Sequence, residues 1–413
     1  MTRAHVGALA YARDAAPPVD LSALRVLIAH DWLVAWAGSE RCVEQLLQVF
    51  PQADLVVGVL AASMRNFNEV ARRARETWLG RIPGARTHHR WFLPLEGLAF
   101  ATLDTRGYDL VISSSHAFSK SVRVHEDTVH LCYCYSPPRY LWDLYETYRF
   151  GAGWWERSVL TAVAEPLRCW DRFTAKGVSD FVAISQHVAE RIRRVYRRNA
   201  EVVYPPVARR STVGSSDPGL GRYALYLGRL VAYKRVDLAI QAAERVGVTL
   251  VVAGDGPERT KLERSAGKHV RFVGEVSEQG AEQLLDHCAA FVFCAEDDFG
   301  IAPVEANAHG KPVVGYAAGG LAETMVPDAT ATLFSEQRAD AVADALERTL
   351  CRQWDSRLLQ ANAERFRPAA FREGIRAAVA RSLTATDEPV ASAVRSDLSG
   401  LLNLSGTQSV VGR

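Results

Sequence analysis

The stretch YALYLGRLVAYKRVDLAIQAAERVGVTLVVAG, residues 223–254, reads as strand, turn, helix and strand. YALYLG (223–228) and TLVVAG (249–254) are near-continuous apolar runs, the pattern of strands buried on both faces. Between them Val236, Leu238 and Ile240 open a helical segment. The same alternation continues downstream through HVRFVG (269–274), AAFVFC (289–294) and PVVGY (312–316). Upstream it recurs in RVLIAH (25–30), DLVVGV (54–59), YDLVIS (108–113), VHLCYCY (129–135) and DFVAIS (180–185). Val43, Leu46, Leu47 and Phe50 follow helical spacing after Ser39, a candidate N-cap. The run VVYPPVARRSTVGSSDPGLG (202–221) is a linker by its Pro, Gly and Ser content. Strand–helix alternation on both sides of it predicts two parallel-sheet α/β domains, over 22–205 and 206–385. An Ala/Pro-rich leader (1–21) and a disordered Ser/Asp/Gly-rich tail (386–413) are expected to flank them. A ligand should lie where the carboxyl ends of the strands face the cleft between the domains.

With 413 residues, 48% hydrophobic and 23% charged, the chain can build a large core without disulfide or metal staples. The formal charge of +2 names no partner. Two local clusters stand out. Arg191, Arg193, Arg194, Arg197 and Arg198 read as a solvated helix face. Arg72, Arg73, Arg75, Arg81, Arg86, His88, His89 and Arg90, followed by Trp91 and Phe92, suit an anionic membrane surface or a lipid diphosphate, or else a second solvated face. Nothing beyond these arginines supports nucleic-acid binding. Seven cysteines occur without a C-x-x-C pair, and Cys132 and Cys134 share one face of a strand. That usage suits a reducing cytosolic compartment. No signal-type segment and no run of 18 apolar residues is present, so any membrane contact is expected to be peripheral, at the inner face of the cytoplasmic membrane.

Chemistry concentrates at strand ends. In LGRLVAYKRVD (227–237), Arg229 and Lys234 follow a strand, where two cations suit a diphosphate or are merely a surface pair. AGDGPE (253–258) lacks the third glycine of a dinucleotide fingerprint, which weakens a dehydrogenase reading. In AEDDFGIAPVEANAHGKP (295–312), Asp297 and Glu305 stand eight residues apart across a glycine turn, Glu305 being read as opening a helix. Carboxylates there can hold sugar hydroxyls, or can offset a helix dipole. YAAGGLAETMV (316–326) has the form of a phosphate cradle at Gly319 and Gly320, with Glu323 in the first helical turn. His116 follows a strand and three serines, whereas His88 and His130 read as structural. No spaced acidic pair or His/Cys cluster has metal-ligand spacing, so neither metal nor cofactor is expected.

LGRL, YKRVD, AGDGPE, RFVGEV, EDDFGIAPVEANAHGKPVV and GGLAET, in this order over 223–326, resemble the retaining glycosyltransferase family 4. HDWLVAWAGSERCVEQLL (30–47), SSSHAFSKSV (113–122), CYCYSPPRYLWD (132–143) and VAISQHVAERIRRVYRRNAEVVYPPV (182–207) resemble its O-antigen and exopolysaccharide mannosyltransferase branch. The resemblance spans residues 25 to about 380. It implies the GT-B fold, two Rossmann-like domains facing a central cleft. It further implies metal-independent hexosyl transfer from a nucleotide sugar to a lipid-linked or polysaccharide acceptor. Arg229 and Lys234 would bind the donor diphosphate, Glu305 the ribose and Asp297 the sugar. Gly320 and Leu321 would offer N–H groups, Val276 would stack on the base, Gly38 would underlie the diphosphate, and His116 would lie beside the anomeric carbon. Asp297 departs from the Glu usual in the family and is one methylene shorter. A nucleotide-sugar epimerase of the same fold and a non-catalytic nucleotide-sugar sensor are the competing readings.

Overall fold

The computed structural model describes residues 20–151, 153–208 and 219–386. The expected leader, but for its last two residues, the middle of the linker and the tail beyond 386 lie outside the described residues.

Two all-parallel sheets organise the chain. The first contains β1 (Val26–Leu33), β2 (Asp54–Leu60), β3 (Ala74–Glu76), β4 (Leu110–Ser115), β5 (Val129–Cys134), β6 (Asp180–Ala183) and β7 (Ala200–Val202), in the order β3-β2-β1-β4-β5-β6-β7. The second contains β8 (Tyr223–Leu227), β9 (Thr249–Ala253), β10 (Val270–Gly274), β11 (Ala290–Phe293), β12 (Val313–Tyr316) and β13 (Ala331–Phe334), in the order β10-β9-β8-β11-β12-β13. Ile28 pairs with Leu55 on one side and Ile112 on the other, so the apolar run of β1 is buried on every side. Helices cover both faces of such sheets, which is why β1 and β4 open on apolar runs (Val26–Ala29 and Leu110–Ile112), and their polar residues, His30, Asp31 and Ser113–Ser115, gather towards the carboxyl ends. In each sheet the strand order reverses beside the first strand, between β1 and β4 and between β8 and β11. A reversal of this kind opens a crevice at the carboxyl ends.

The helix Gly38–Val49 starts one residue before the expected cap at Ser39. Its N-cap is Ala37, whose N–H donates to the Glu40 carboxylate at 2.9 Å. The last helix, Pro368–Thr386, crosses back to the first sheet. Arg372 donates to Gln45 and Gln48, Ser382 donates to Asp180 at 2.7 Å, and Phe371 packs edge-on to Tyr133. Phe366 and Phe371 are fully buried, each worth roughly 1.5–3 kcal/mol of apolar burial. This return crossing ties the two halves covalently and by packing. No described helix is long and apolar enough to cross a membrane.

Candidate active site

On the first sheet the site grows from the ends of β1 and β4. Asp31 is buried and accepts four consecutive backbone N–H groups, from His116 (2.6 Å), Ala117 (2.9 Å), Phe118 (2.9 Å) and Ser119 (2.6 Å). Those four bonds turn the chain as it leaves β4 and set His116 at the strand end. His116 Nδ1 lies 3.2 Å from the same carboxylate, and its ring stands edge-on to Trp32 at 4.5 Å. Burial alone would raise the Asp31 pKa, but His116, His30 and the N–H donors hold it below the usual carboxylate range. An ionised acceptor on Nδ1 fixes the ring's orientation and stabilises its protonated form. Asp31 escaped the motif reading, although it lies in the HDWL segment.

Behind it, buried His30 bonds Ser114 Oγ at 3.0 Å and sits 3.5 Å from Glu40. Burial pulls His30 down, yet Glu40 and Asp31 raise it above its ordinary value, while His30 holds Glu40 below its own. Tyr135 links this layer to the glycine loop through Ser114 Oγ (2.8 Å) and the Ser39 carbonyl (3.0 Å). His130 lies buried with Nε2 on Ser113 Oγ, and burial depresses it to about 4.

Glu96, also buried, has an Oε1 without a hydrogen-bond partner. Burial, reinforced by Asp31 and opposed by Lys120, pushes its carboxyl well above the usual range. The fold therefore retains a proton that the unfolded chain releases near pH 4.3, and wild-type stability should fall as pH rises from about 5 towards 8. Glu96→Gln, uncharged and of the same shape, should remove that slope and raise the melting temperature at pH 7.5. Thermal melts of both proteins over this range check it, and parallel slopes would mean an ionised Glu96.

On the second sheet, Gly228 and Gly254 end adjacent strands β8 and β9. A Cβ on Gly254 would lie 2.0 Å from the Gly228 carbonyl oxygen, so only glycine allows these backbones to touch. Arg229 is exposed and has no ion-pair partner among the described residues. Lys234 instead bonds Asp297, whose other oxygen lies 3.3 Å from Arg139 of the first sheet. The Asp297 carboxylate is thus clamped between two cations. Burial would raise it, but Lys234 and then Arg139 hold it below the usual range. The carboxylate expected on the donor sugar thus makes ion pairs to both halves.

Other expected residues also take protein partners. The helix Ile301–Ala308 begins four residues before Glu305, which therefore sits in its second turn. Glu305 bonds Arg41 at 2.8 Å, and Arg41 reaches Glu278 at 3.1 Å. The N–H of Gly320 donates to the Asp297 carbonyl at 2.8 Å. Glycine is needed there because a Cβ would lie 2.4 Å from Phe299 Cα: the 297–299 backbone passes directly overhead. Leu321 opens the next helical turn with its side chain buried. Val276 is half-buried after β10. Gly38 lies where a Cβ would strike Ile301 Cδ1 at 2.3 Å, so the first turns of helices from opposite sheets meet. Glu323 accepts N–H bonds from Gln186 and His187, capping the helix Gln186–Tyr196 across the cleft. Arg191 is not solvated. It is buried and bridges Asp298 and Asp143, because its helix faces the second sheet. Arg198 likewise bonds backbone carbonyls, at Val178 and Ser179, and only Arg193, Arg194 and Arg197 are exposed.

In the 72–92 cluster, Arg86 pairs with Glu76, Arg75 with Asp54, and Arg73 with two backbone carbonyls. Trp91, Leu95 and Leu98 are exposed beside it, and the side chain of Arg90 lies outside the described residues. Phe150, Trp154 and Trp155 form a further exposed aromatic group that composition alone did not mark.

Residues 216–366 match the family described as glycosyl transferases group 1. Glycogen synthase of Mycobacterium tuberculosis is 32% identical over 158 residues, 36% of this chain and 37% of that protein. The GDP-mannose-dependent alpha-(1-6)-phosphatidylinositol dimannoside mannosyltransferase of the same organism is 32% identical over 136 residues, 31% of this chain and 35% of that protein. The matched region therefore spans well under half the length of these curated relatives. The crystal structure of Anabaena HepE with UDP-glucose superposes with a TM-score of 0.62 at 15% identity, covering 86% of this chain and 99% of that one. The chain is a two-domain protein of the GT-B fold whose residues 216–366 match the glycosyl transferases group 1 family.

Proposed function

We propose that the protein is a retaining glycosyltransferase that moves a hexose from a nucleotide diphosphate sugar. Mannose from GDP-mannose is the first candidate, with a lipid-linked or polysaccharide acceptor. The observation that carries the reading is the convergence of two strand-end clusters on one cleft. His116, fixed by Asp31, comes from one sheet, while Arg229 and Lys234 come from the other. The cations would neutralise the diphosphate as its bond to the sugar breaks. Glu305 would hold the ribose once Arg41 yields it, and His116 would border the anomeric carbon. The acceptor hydroxyl would attack from the face that the diphosphate leaves, and a departing phosphate oxygen would take its proton. Closure of the two halves would exclude water and limit hydrolysis. The mannosyltransferase relative supports the donor only as a guide, because glycogen synthase matches at the same identity. The 72–98 surface, with its arginines and exposed Trp91, Leu95 and Leu98, suits contact with an anionic cytoplasmic membrane face.

A panel of labelled nucleotide sugars, incubated with bacterial membranes, tests the reading. Transfer of label from one donor into a lipid or glycan fraction, with nucleotide release, is expected. Epimerised donor without transfer would favour an epimerase, and tight binding without turnover a sensor.

A further inference from the structure

We infer that Arg139 is a donor contact: with Lys234 it forms a two-cation cradle for the diphosphate, which Asp297 occupies while the donor is absent. This rests on the donor reading above. Arg139 follows Pro137-Pro138 just beyond β5, at the cleft edge of the first sheet, whereas Lys234 belongs to the second. Both cations converge on one carboxylate, Lys234 on Oδ2 and Arg139 on Oδ1. A carboxylate and a phosphate each present paired oxygens on one centre, so a cradle that holds one accepts the other.

Arg139 is also prepared for such a ligand. Its guanidinium packs over the Tyr233 ring at 5.0 Å, beside Lys234, which sets its plane. Its Nε is buried and makes no hydrogen bond, although Asp143 lies 3.4 Å away. Asp143 meets that N–H as an ion pair without hydrogen-bond alignment, and a phosphate oxygen would supply the missing bond. Three carboxylates, Asp143, Asp297 and Asp298, surround the group. An entering diphosphate adds about two negative charges, so one carboxylate must give way. Asp297 is the one that bridges both cations, and its side chain is the short one at this position. Arg139 thereby couples donor entry to the contact between the halves.

Calorimetric titration of the full chain with GDP and with UDP, and with the corresponding nucleosides, tests this. Arg139→Gln should weaken binding of the diphosphate roughly 10- to 100-fold, with nucleoside binding unchanged and partial recovery in Arg139→Lys. Asp297→Asn should tighten diphosphate binding several-fold by removing the internal competitor. Equal affinity in Arg139→Gln, or an equal loss for nucleoside and diphosphate, would reduce Arg139 to a structural clamp and overturn the assignment. Weaker diphosphate binding by Asp297→Asn would overturn the shared cradle. A wild-type protein that binds neither diphosphate would overturn the donor reading itself.

Discussion

Changing His116 to alanine lowers turnover by about a hundredfold or more while leaving donor affinity nearly unchanged, if the residue borders the reacting carbon as we propose. The structure supplies the reason to expect such a split. Asp31 spends its carboxylate on four main-chain N–H groups and on His116 Nδ1 together. The loop after β4 is thus held by its backbone, and the imidazole can be removed without releasing the loop. The cations at Arg229 and Lys234 belong to the other sheet and stay in place. Donor binding should accordingly survive and the chemical step should suffer. Initial-rate measurements that separate kcat from KM check this. Normal turnover in the variant would make His116 an ordinary partner of a buried Asp. Changing Asp31 is the poorer test, because its loss strands four buried N–H groups, each costing about 1–3 kcal/mol.

Removing either donor-side cation should cost about 2–4 kcal/mol of transition-state stabilisation, a roughly 30- to 1000-fold loss of rate, by analogy with loss of an oxyanion donor. The two alanine variants will not behave alike in other respects. Arg229 is exposed and unpaired among the described residues, so Arg229→Ala should leave stability intact. Lys234→Ala deprives the half-buried Asp297 of its first partner and leaves it with Arg139, so a lowered melting temperature should accompany the lost rate. Glu305→Ala releases Arg41 and should raise the donor KM as well as lower kcat, since a ribose contact exists in the ground state. All rates should be insensitive to EDTA, because in the proposed scheme the cations would neutralise the charge that Mg²⁺ neutralises elsewhere. Nucleotide release by wild type and the three variants, with and without EDTA, measures this. Activity abolished by EDTA and restored by Mg²⁺ would refute the metal-free scheme, and unchanged kinetics in all three variants would refute the site.

The sequence by itself determined the architecture. Ten apolar runs named from periodicity are ten of the thirteen strands among the described residues, because strands buried on both faces are mostly apolar. The three missed, β3, β7 and β13, have three or four residues each and lie at sheet edges, where a strand is paired on one side only and needs no long apolar run. The positions of Arg229, Lys234 and His116 beside strand ends were legible for the same reason. What each side chain holds was not legible. Lys234 and Asp297, expected on different parts of a donor, hold each other. Glu305 holds Arg41 from 264 residues away, and Arg191 is buried rather than solvated. Gly320 makes room for the backbone at Asp298 and Phe299, a contact its own sequence neighbourhood does not announce. Local periodicity records which face of an element is covered, whereas charge pairing depends on which strand ends the two sheets bring together. Arg139 and Asp297 lie 158 residues apart, and only the packing of the two halves against each other puts them within 3.3 Å.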